Sequence, residues 1–265
     1  MKKSLSRPLL EFKNITVIRE RKRILNSISV KIYPGEQIAI LGPNGAGKST
    51  FIKTITREYY PATGKNDSVF KIWGRDLWNI FDLRTTLGIV SGDLQYSFDR
   101  EMSGEEMVLS GFFSSVGLYR QQVSLKMRRK AGEIMRFLEI SALKDRSLAQ
   151  MSSGEARRFL IGRALVHDPQ ALILDEPVNS LDLHALHKFR KLLGKISHAG
   201  IGIILVTHNP AEIIPEISRV ILMKEGRFWK DGAKSALLTD KNLSALFNTC
   251  VKVKKIKGYY YAYTL

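Results

Sequence analysis

Eight residues, GPNGAGKS at Gly42–Ser49, have the spacing G-x-x-x-x-G-K-[ST], with a short apolar run, QIAIL at 37–41, before them and a helical pattern from about Lys48 after them. Glycines at such positions let the chain curl until successive backbone N–H groups and the positive end of the helix converge on phosphate oxygens. Lys48 then reaches the β- and γ-phosphates, and the Ser49 hydroxyl can ligate Mg²⁺. The predicted chemistry is nucleotide binding. A second constellation, LILDE at Leu172–Glu176, is an apolar strand that delivers two carboxylates at its end. Asp175 suits a Mg²⁺ shell, and Glu176 suits polarising an attacking water. Alone, a strand ending in Asp-Glu-Pro is more often a solvated turn. Together with the phosphate loop it reads as a hydrolysis site.

A third stretch, MSSGEARRFL at 151–160, admits two readings. Locally it is a capping box, in which the Ser152 hydroxyl and the Glu155 carboxylate satisfy each other's orphan backbone donors before an apolar run. Such boxes begin many ordinary helices, so the stretch by itself does not reveal whether it is also half of a chemical site.

The elements that must hold these groups follow from periodicity and punctuation. Extended patterns fill 9–18 and 24–33, and Pro34-Gly35 turns the chain into the buried strand at 37–41. A helix from Lys48 stops before Pro61, and strands are expected at 68–73 and 86–90. From Ser103 to about Ser147 the apolar residues recur at helical intervals, which predicts a separate helical lobe. A helix at 153–167, a strand at 171–175, a helix at 182–199 and a strand at 201–206 make a run that implies parallel pairing and an α/β core. Strands at 219–224 and 227–230 flank a Glu225-Gly226 turn. The expected division is an ATPase core of 9–98 and 148–235, a helical subdomain of 99–147, and a tail of 236–265 whose pattern is weak.

Composition bounds the function. The 265 residues are 44% hydrophobic and 25% charged, the balance of a soluble globular chain. No apolar run reaches the roughly 18 residues that span a bilayer, and MKKSLSRPLLEF lacks an export signal's apolar centre, so a membrane role requires a partner. Cys250 is the single cysteine, which excludes an internal disulfide and a cysteine-based zinc module. The net charge of +17 favours anionic partners, but it is scattered over RERKR at 19–23, KMRRK at 126–130 and KVKKIK at 252–257. Solvated faces explain the first two runs better than a nucleic-acid groove does. The third is followed by Tyr259, Tyr260 and Tyr261, which keeps nucleic acid open as a partner.

Five motifs in fixed order carry a family resemblance over roughly residues 9–235. GPNGAGKST matches a Walker A loop, MSSGE a signature, ALILDEP a Walker B strand, NSLD a D-loop and VTH a switch histidine. The chain thereby resembles the ATP-binding subunit of an ABC (ATP-binding cassette) transporter, an α/β fold in which a P-loop NTPase core carries an antiparallel β subdomain and a helical subdomain. The resemblance implies ATP and Mg²⁺ as cofactors and two cassettes packed head to tail, the signature of one closing over the γ-phosphate held by the other. It assigns phosphate contacts to Gly42, Pro43, Asn44, Gly45, Ala46, Gly47, Lys48, Ser49 and Thr50. Glu176 becomes the general base, Asp175 and Ser49 magnesium ligands, and His208 a γ-phosphate contact. Ser152 and Gly154 would touch the partner's ATP, and Asp182 would couple the two sites. It further implies a second ATPase chain as partner, making a homodimer, a separate integral membrane subunit, and residence in the cytoplasm on the inner face of the membrane.

Three departures from the pattern stand out. Arg19 occupies the position where the family usually stacks an aromatic ring on adenine; a guanidinium plane can stack too, and a plain surface arginine is the other reading. The Mg²⁺-sensing glutamine is delayed in GIVSGDLQ to Gln95. MSSGE replaces the commoner LSGGQ, so Ser153 adds a side chain and Glu155 a negative charge near phosphate, which predicts slower hydrolysis. VSGDLQ and VLSGFFSSVGLY are similar to molybdate-type or soluble members of the family. The face formed by Phe112, Phe113, Val116 and Leu118 suits either the lobe's core or a membrane subunit. The competing functional class is a soluble ATPase of the same family acting on nucleic acid or ribosomes. The absence of a second cassette, of a coiled-coil insertion and of zinc cysteines counts against it.

Overall fold

A computed structural model describes residues 7–62, 67–92, 94, 97–118, 120–178 and 182–264. The chain divides into two compact units, Met1–Ile80 with Gly202–Leu265, and Phe81–Ile201.

In the first unit, β1 (Leu10–Arg19) and β2 (Lys22–Ile32) form an antiparallel hairpin, and β4 (Val69–Ile72) pairs with the other side of β1. Glu20 and Arg21 both have positive φ, the primed two-residue turn whose twist matches flanking strands. The inward side chains Leu10, Phe12, Ile15 and Val17 are buried, and Phe12 packs edge-on against Phe51 of α1 (Lys48–Ile55) at 5.3 Å between ring centroids. In the same unit β3 (Gln37–Leu41) lies between β7 (Gly202–Thr207) and β8 (Arg219–Lys224), parallel to both, and β9 (Arg227–Ala233) closes antiparallel on β8. Ile38–Leu41 and all of β7 are buried, the continuous apolar run that strands covered on both faces require. The chain ends in two helices, α7 (Lys234–Leu237) and α8 (Asp240–Phe247), and a hairpin of β10 (Val251–Ile256) and β11 (Tyr259–Thr264).

The second unit opens with α2 (Ile80–Thr86), which the sequence pattern did not announce, and continues into β5 (Leu87–Ser91). β5 pairs parallel with β6 (Ala171–Asp175), so that Ser91 stands opposite Asp175. The stretch expected to be helical contains α3 (Gly104–Ser110) and α4 (Leu125–Phe137), with a short 3-10 turn at Gly111–Phe113 after the first and another at Ser141–Leu143 after the second. Both pack on α5 (Ser153–Leu165). The approach of α3 is so close that a Cβ on Gly104 would stand 2.4 Å from the ring of Phe159. α6 (Leu183–His198) follows Asp182.

Candidate nucleotide site

The phosphate loop hangs between the ends of three parallel strands of the first unit. Gly42 N–H donates to the Thr207 carbonyl at 3.2 Å, and Gly226 N–H donates to the Ala46 carbonyl at 2.9 Å, which ties the loop to the ends of β7 and β8. A Cβ on Gly42 would lie 2.3 Å from the Met223 carbonyl oxygen, so the close approach needs glycine. Gly47 caps α1 at φ 102°, a left-handed conformation that side chains resist. Lys48 is 5% exposed, and its ammonium donates to the carbonyls of Gly42 and Pro43, each at 3.0 Å. The cation is thereby folded back over the loop. Ser49 is exposed on the first turn of α1 with Thr50 beside it. This combination of positive charge, helix N-terminus and hard hydroxyl oxygen fits a magnesium-bound polyphosphate.

His208 follows β7 directly, one residue beyond the carbonyl that Gly42 grips. Its neighbours hold the chain there. The buried Thr207 hydroxyl donates to the Glu212 carboxylate at 2.6 Å, and the Asn209 side chain accepts from Ala211 N–H at 3.0 Å. The structure thus brings the loop and His208 together within one unit.

In the second unit Asp175 is the last residue of β6, and Glu176 lies just beyond at φ 45°. A non-glycine residue in the left-handed region costs on the order of 1–2 kcal/mol and recurs at functional turns. The apolar strand and the sharp turn after it present both carboxylates at one strand end.

Ser152 caps α5 by the predicted box. Its hydroxyl accepts from Glu155 N–H at 3.3 Å, while the Glu155 carboxylate accepts from the Ser152 N–H and hydroxyl, each at 2.8 Å. The backbone N–H of Ser152 holds the Glu155 carboxyl below its ordinary value and outweighs burial, which opposes it; the Ser152 hydroxyl, Arg158 and Arg146 add smaller effects in the lowering direction. Asp182 caps α6, its carboxylate accepting from Ala185 N–H at 2.7 Å. Ser152, Gly154 and Asp182 line one cavity of about 240 Å³, with Arg158, His184 and Lys188. Two helix N-termini, the cations Arg158 and Lys188 and the carboxylates Glu155 and Asp182 therefore surround a single pocket. Sequence reasoning named the first three of these residues and missed the last three. His184 and Lys188 stand four residues apart on α6, a spacing that puts them on one helix face, but nothing local says that this face meets the start of α5.

Arg19 ends β1 with its guanidinium 4.4 Å from the centroid of the Tyr59 ring. Tyr59 was not foreseen, because the partners lie on separate elements. Gln95 lies outside the described residues, as does the Asn179–Leu181 part of the D-loop motif. Phe112 meets His167 edge-on, while Val116 and Leu118 line a cavity of about 370 Å³ with Asp99, Glu101 and Met102.

A family model described as ABC transporter matches residues 25–179, more than half of the chain. The chain belongs to the ABC transporter family. It is 34% identical over 247 residues to the ABC transporter ATP-binding protein YlmA of Bacillus subtilis (strain 168), covering 92% of this chain and 93% of that protein. Its fold matches cbiO1 from Clostridium perfringens, part of the ABC transporter complex cbiONQ, with a TM-score of 0.75 at 28% identity over 92% of this chain and 95% of the other. It also matches the ATP-binding cassette MJ0796 in a dimeric post-hydrolysis state bound to ADP and Pi, with a TM-score of 0.70 at 25% identity over 84% and 98% of the two chains. The architecture is that of an ABC ATPase cassette, as the motif order implied. Its place in the family is that of the ATP-binding subunit, which hydrolyses ATP to power transport. These likenesses support transport over action on nucleic acid or ribosomes.

Proposed function

We propose that two copies of this chain bind two ATP molecules head to tail, and that their closure and hydrolysis drive a separate integral membrane subunit. In each site, Gly42–Thr50 of one copy cradles the phosphates, with Lys48 on the β- and γ-oxygens. Ser49, Asp175 and Gln95 would hold Mg²⁺, which when bound supplies positive charge to the phosphate oxygens. Glu176 accepts a proton from the attacking water, and His208 contacts the γ-phosphate. Ser152 and the Gly154 N–H of the partner complete the donor set, and Asp182 links one site to the other. Phosphoryl transfer is mainly positioning and charge stabilisation, which preorganised N–H groups and cations provide.

The observation that carries this reading is the shared pocket of Ser152, Gly154 and Asp182 at two helix N-termini. A capping box made only for helix stability has no need of a second helix start facing the same pocket. Residues 9–98 and 148–235 form the ATPase core, and 99–147 the subdomain that meets the membrane subunit. No helix among the described residues is long and apolar enough to cross a membrane. The likeness to cbiO1, part of the complex cbiONQ, supports assigning the membrane-spanning part to a different chain, with this one on the inner, cytoplasmic face. Arg19, backed by Tyr59, offers its guanidinium plane to adenine.

Native pull-down from solubilised membranes, with nuclease and high-salt washes, tests the transport role. A polytopic membrane protein is expected to stay bound through both washes. Recovery of only RNA or ribosomes, lost in salt, would overturn it.

A further inference from the structure

The C-terminal hairpin carries a surface that ATP hydrolysis does not use. β10 and β11 pair in register from Val251↔Thr264 to Ile256↔Tyr259, and the turn between them, Lys257-Gly258, has positive φ at both residues. Paired residues share a face, so the hairpin has two unlike sides. One side packs inward through Val251 and Tyr260, both 5% exposed. The other presents Lys252, Lys254 and Ile256 opposite Tyr263, Tyr261 and Tyr259. On this outer side Tyr263 is 53% and Ile256 44% exposed, both lysines are exposed, and Tyr259 and Tyr261 are half-buried. The run of three consecutive tyrosines in the sequence is thus split: Tyr260 serves the core, while Tyr259 and Tyr261 join Tyr263 in a row.

Alternate residues of a strand are about 7 Å apart, which sets Tyr259, Tyr261 and Tyr263 in a row at the step of a stacking platform. The hairpin contributes Lys252, Lys254, Lys255 and Lys257 and contains no acidic residue. Lys252 is paired with Asp240 at 3.0 Å and Lys255 lies over the ring of Tyr260 on the inward side, which leaves Lys254 on the outer face and Lys257 at the turn as the exposed cations beside the rings. The strand edge is not the attraction, because Val251 N–H donates to the Ser244 hydroxyl and Val253 N–H to the Asp240 carboxylate. A lipid-inserting hairpin would put apolar side chains at its tip, whereas this tip is Lys257-Gly258 and its outer face has one aliphatic residue.

We propose that the outer face of this hairpin binds single-stranded nucleic acid, stacking about three successive bases on Tyr259, Tyr261 and Tyr263 with phosphates on the flanking lysines. Aromatic rows on a sheet beside lysines recognise unpaired bases because every base has a π-face, and the lysines supply the charge complement. The site is additional to the ATP site and independent of it.

Fluorescence anisotropy of the full chain with labelled oligo-uridine of about twelve nucleotides, with the same length of duplex and with anionic phospholipid vesicles as rivals, tests the proposal. Tyr263→Ala should weaken oligo-uridine binding by about fivefold or more, Lys254→Gln should weaken it and flatten its salt dependence, and Tyr261→Phe should bind as wild type. For two phosphate contacts, raising salt fourfold should weaken wild-type binding about sevenfold. Arg21→Gln with Arg23→Gln, which removes two positive charges from the β1–β2 hairpin, should leave binding near wild type. The proposal is overturned if Tyr263→Ala binds unchanged, if duplex binds as well as single strand, if only the β1–β2 variant loses binding, or if vesicles alone are bound.

Discussion

Replacing Ser152 by alanine separates a helix cap from a catalytic contact, because the fold contains an internal control. Ser103 and Glu106 build a second capping box at the start of α3, with the same 3.3 Å and 2.8 Å bonds as Ser152 and Glu155. In either variant the glutamate keeps the backbone N–H and loses the hydroxyl, so the local cost is the same, about 1 kcal/mol. In a chain of this size that lowers Tm by about 2–4 °C. The effects on turnover should differ. Ser103 has no place at the phosphate, and Ser103→Ala should hydrolyse ATP at the wild-type rate below its Tm. Ser152→Ala removes the donor proposed to contact the partner's γ-phosphate, and loss of one such donor costs on the order of 100-fold in kcat. The assay is steady-state phosphate release at saturating ATP, with Tm measured on the same preparations. Equal turnover in the two variants would refute the reasoning and leave Ser152 as a cap alone.

Gly42→Ala forces a Cβ against the Met223 carbonyl, 2.3 Å away on β8, and is expected to cost about 3 kcal/mol, lowering Tm by about 6–12 °C in a calorimetric scan. The depressed Glu155 carboxyl gives a pH signature of definite sign. Its stabilising contribution is complete above the ordinary value of 4.5 and is lost as pH falls through the lower folded value, so wild-type Tm should drop more steeply in acid than that of Glu155→Gln. Parallel acid profiles would show that the carboxylate charge does not hold the cap.

The phosphate loop was legible because its chemistry is local: eight contiguous residues contain the glycines, the cation and the hydroxyl. The buried strands were legible for a similar reason, since Ile38–Leu41 and Ala171–Leu174 are apolar without interruption. The two capping boxes mark the limit of such reading. Ser103 and Ser152 have the same local geometry, and only the tertiary placement of α5 beside the start of α6 distinguishes the second. Arg158, His184 and Lys188 were invisible for that reason, as was the contact of Gly42 with Met223. Tyr59 escaped because its meeting with Arg19 depends on where α1 ends relative to the β1–β2 turn. The terminal hairpin was missed because its outer strand faces are basic and aromatic, so KVKKIK and YYYAY lack the usual polar and apolar alternation. The Lys257-Gly258 turn was the available signal.

In the proposed mechanism each ATP is enclosed by two copies of the chain, and the solution mass of Glu176→Gln decides whether it is. With ATP and Mg²⁺ this variant should keep its nucleotide unhydrolysed and run in light scattering at twice the 30.0 kDa chain mass, returning to a single chain when Ser152→Ala is added. A single-chain mass with ATP bound, alongside full turnover by equally monomeric wild type, would rule out enclosure of ATP by two copies.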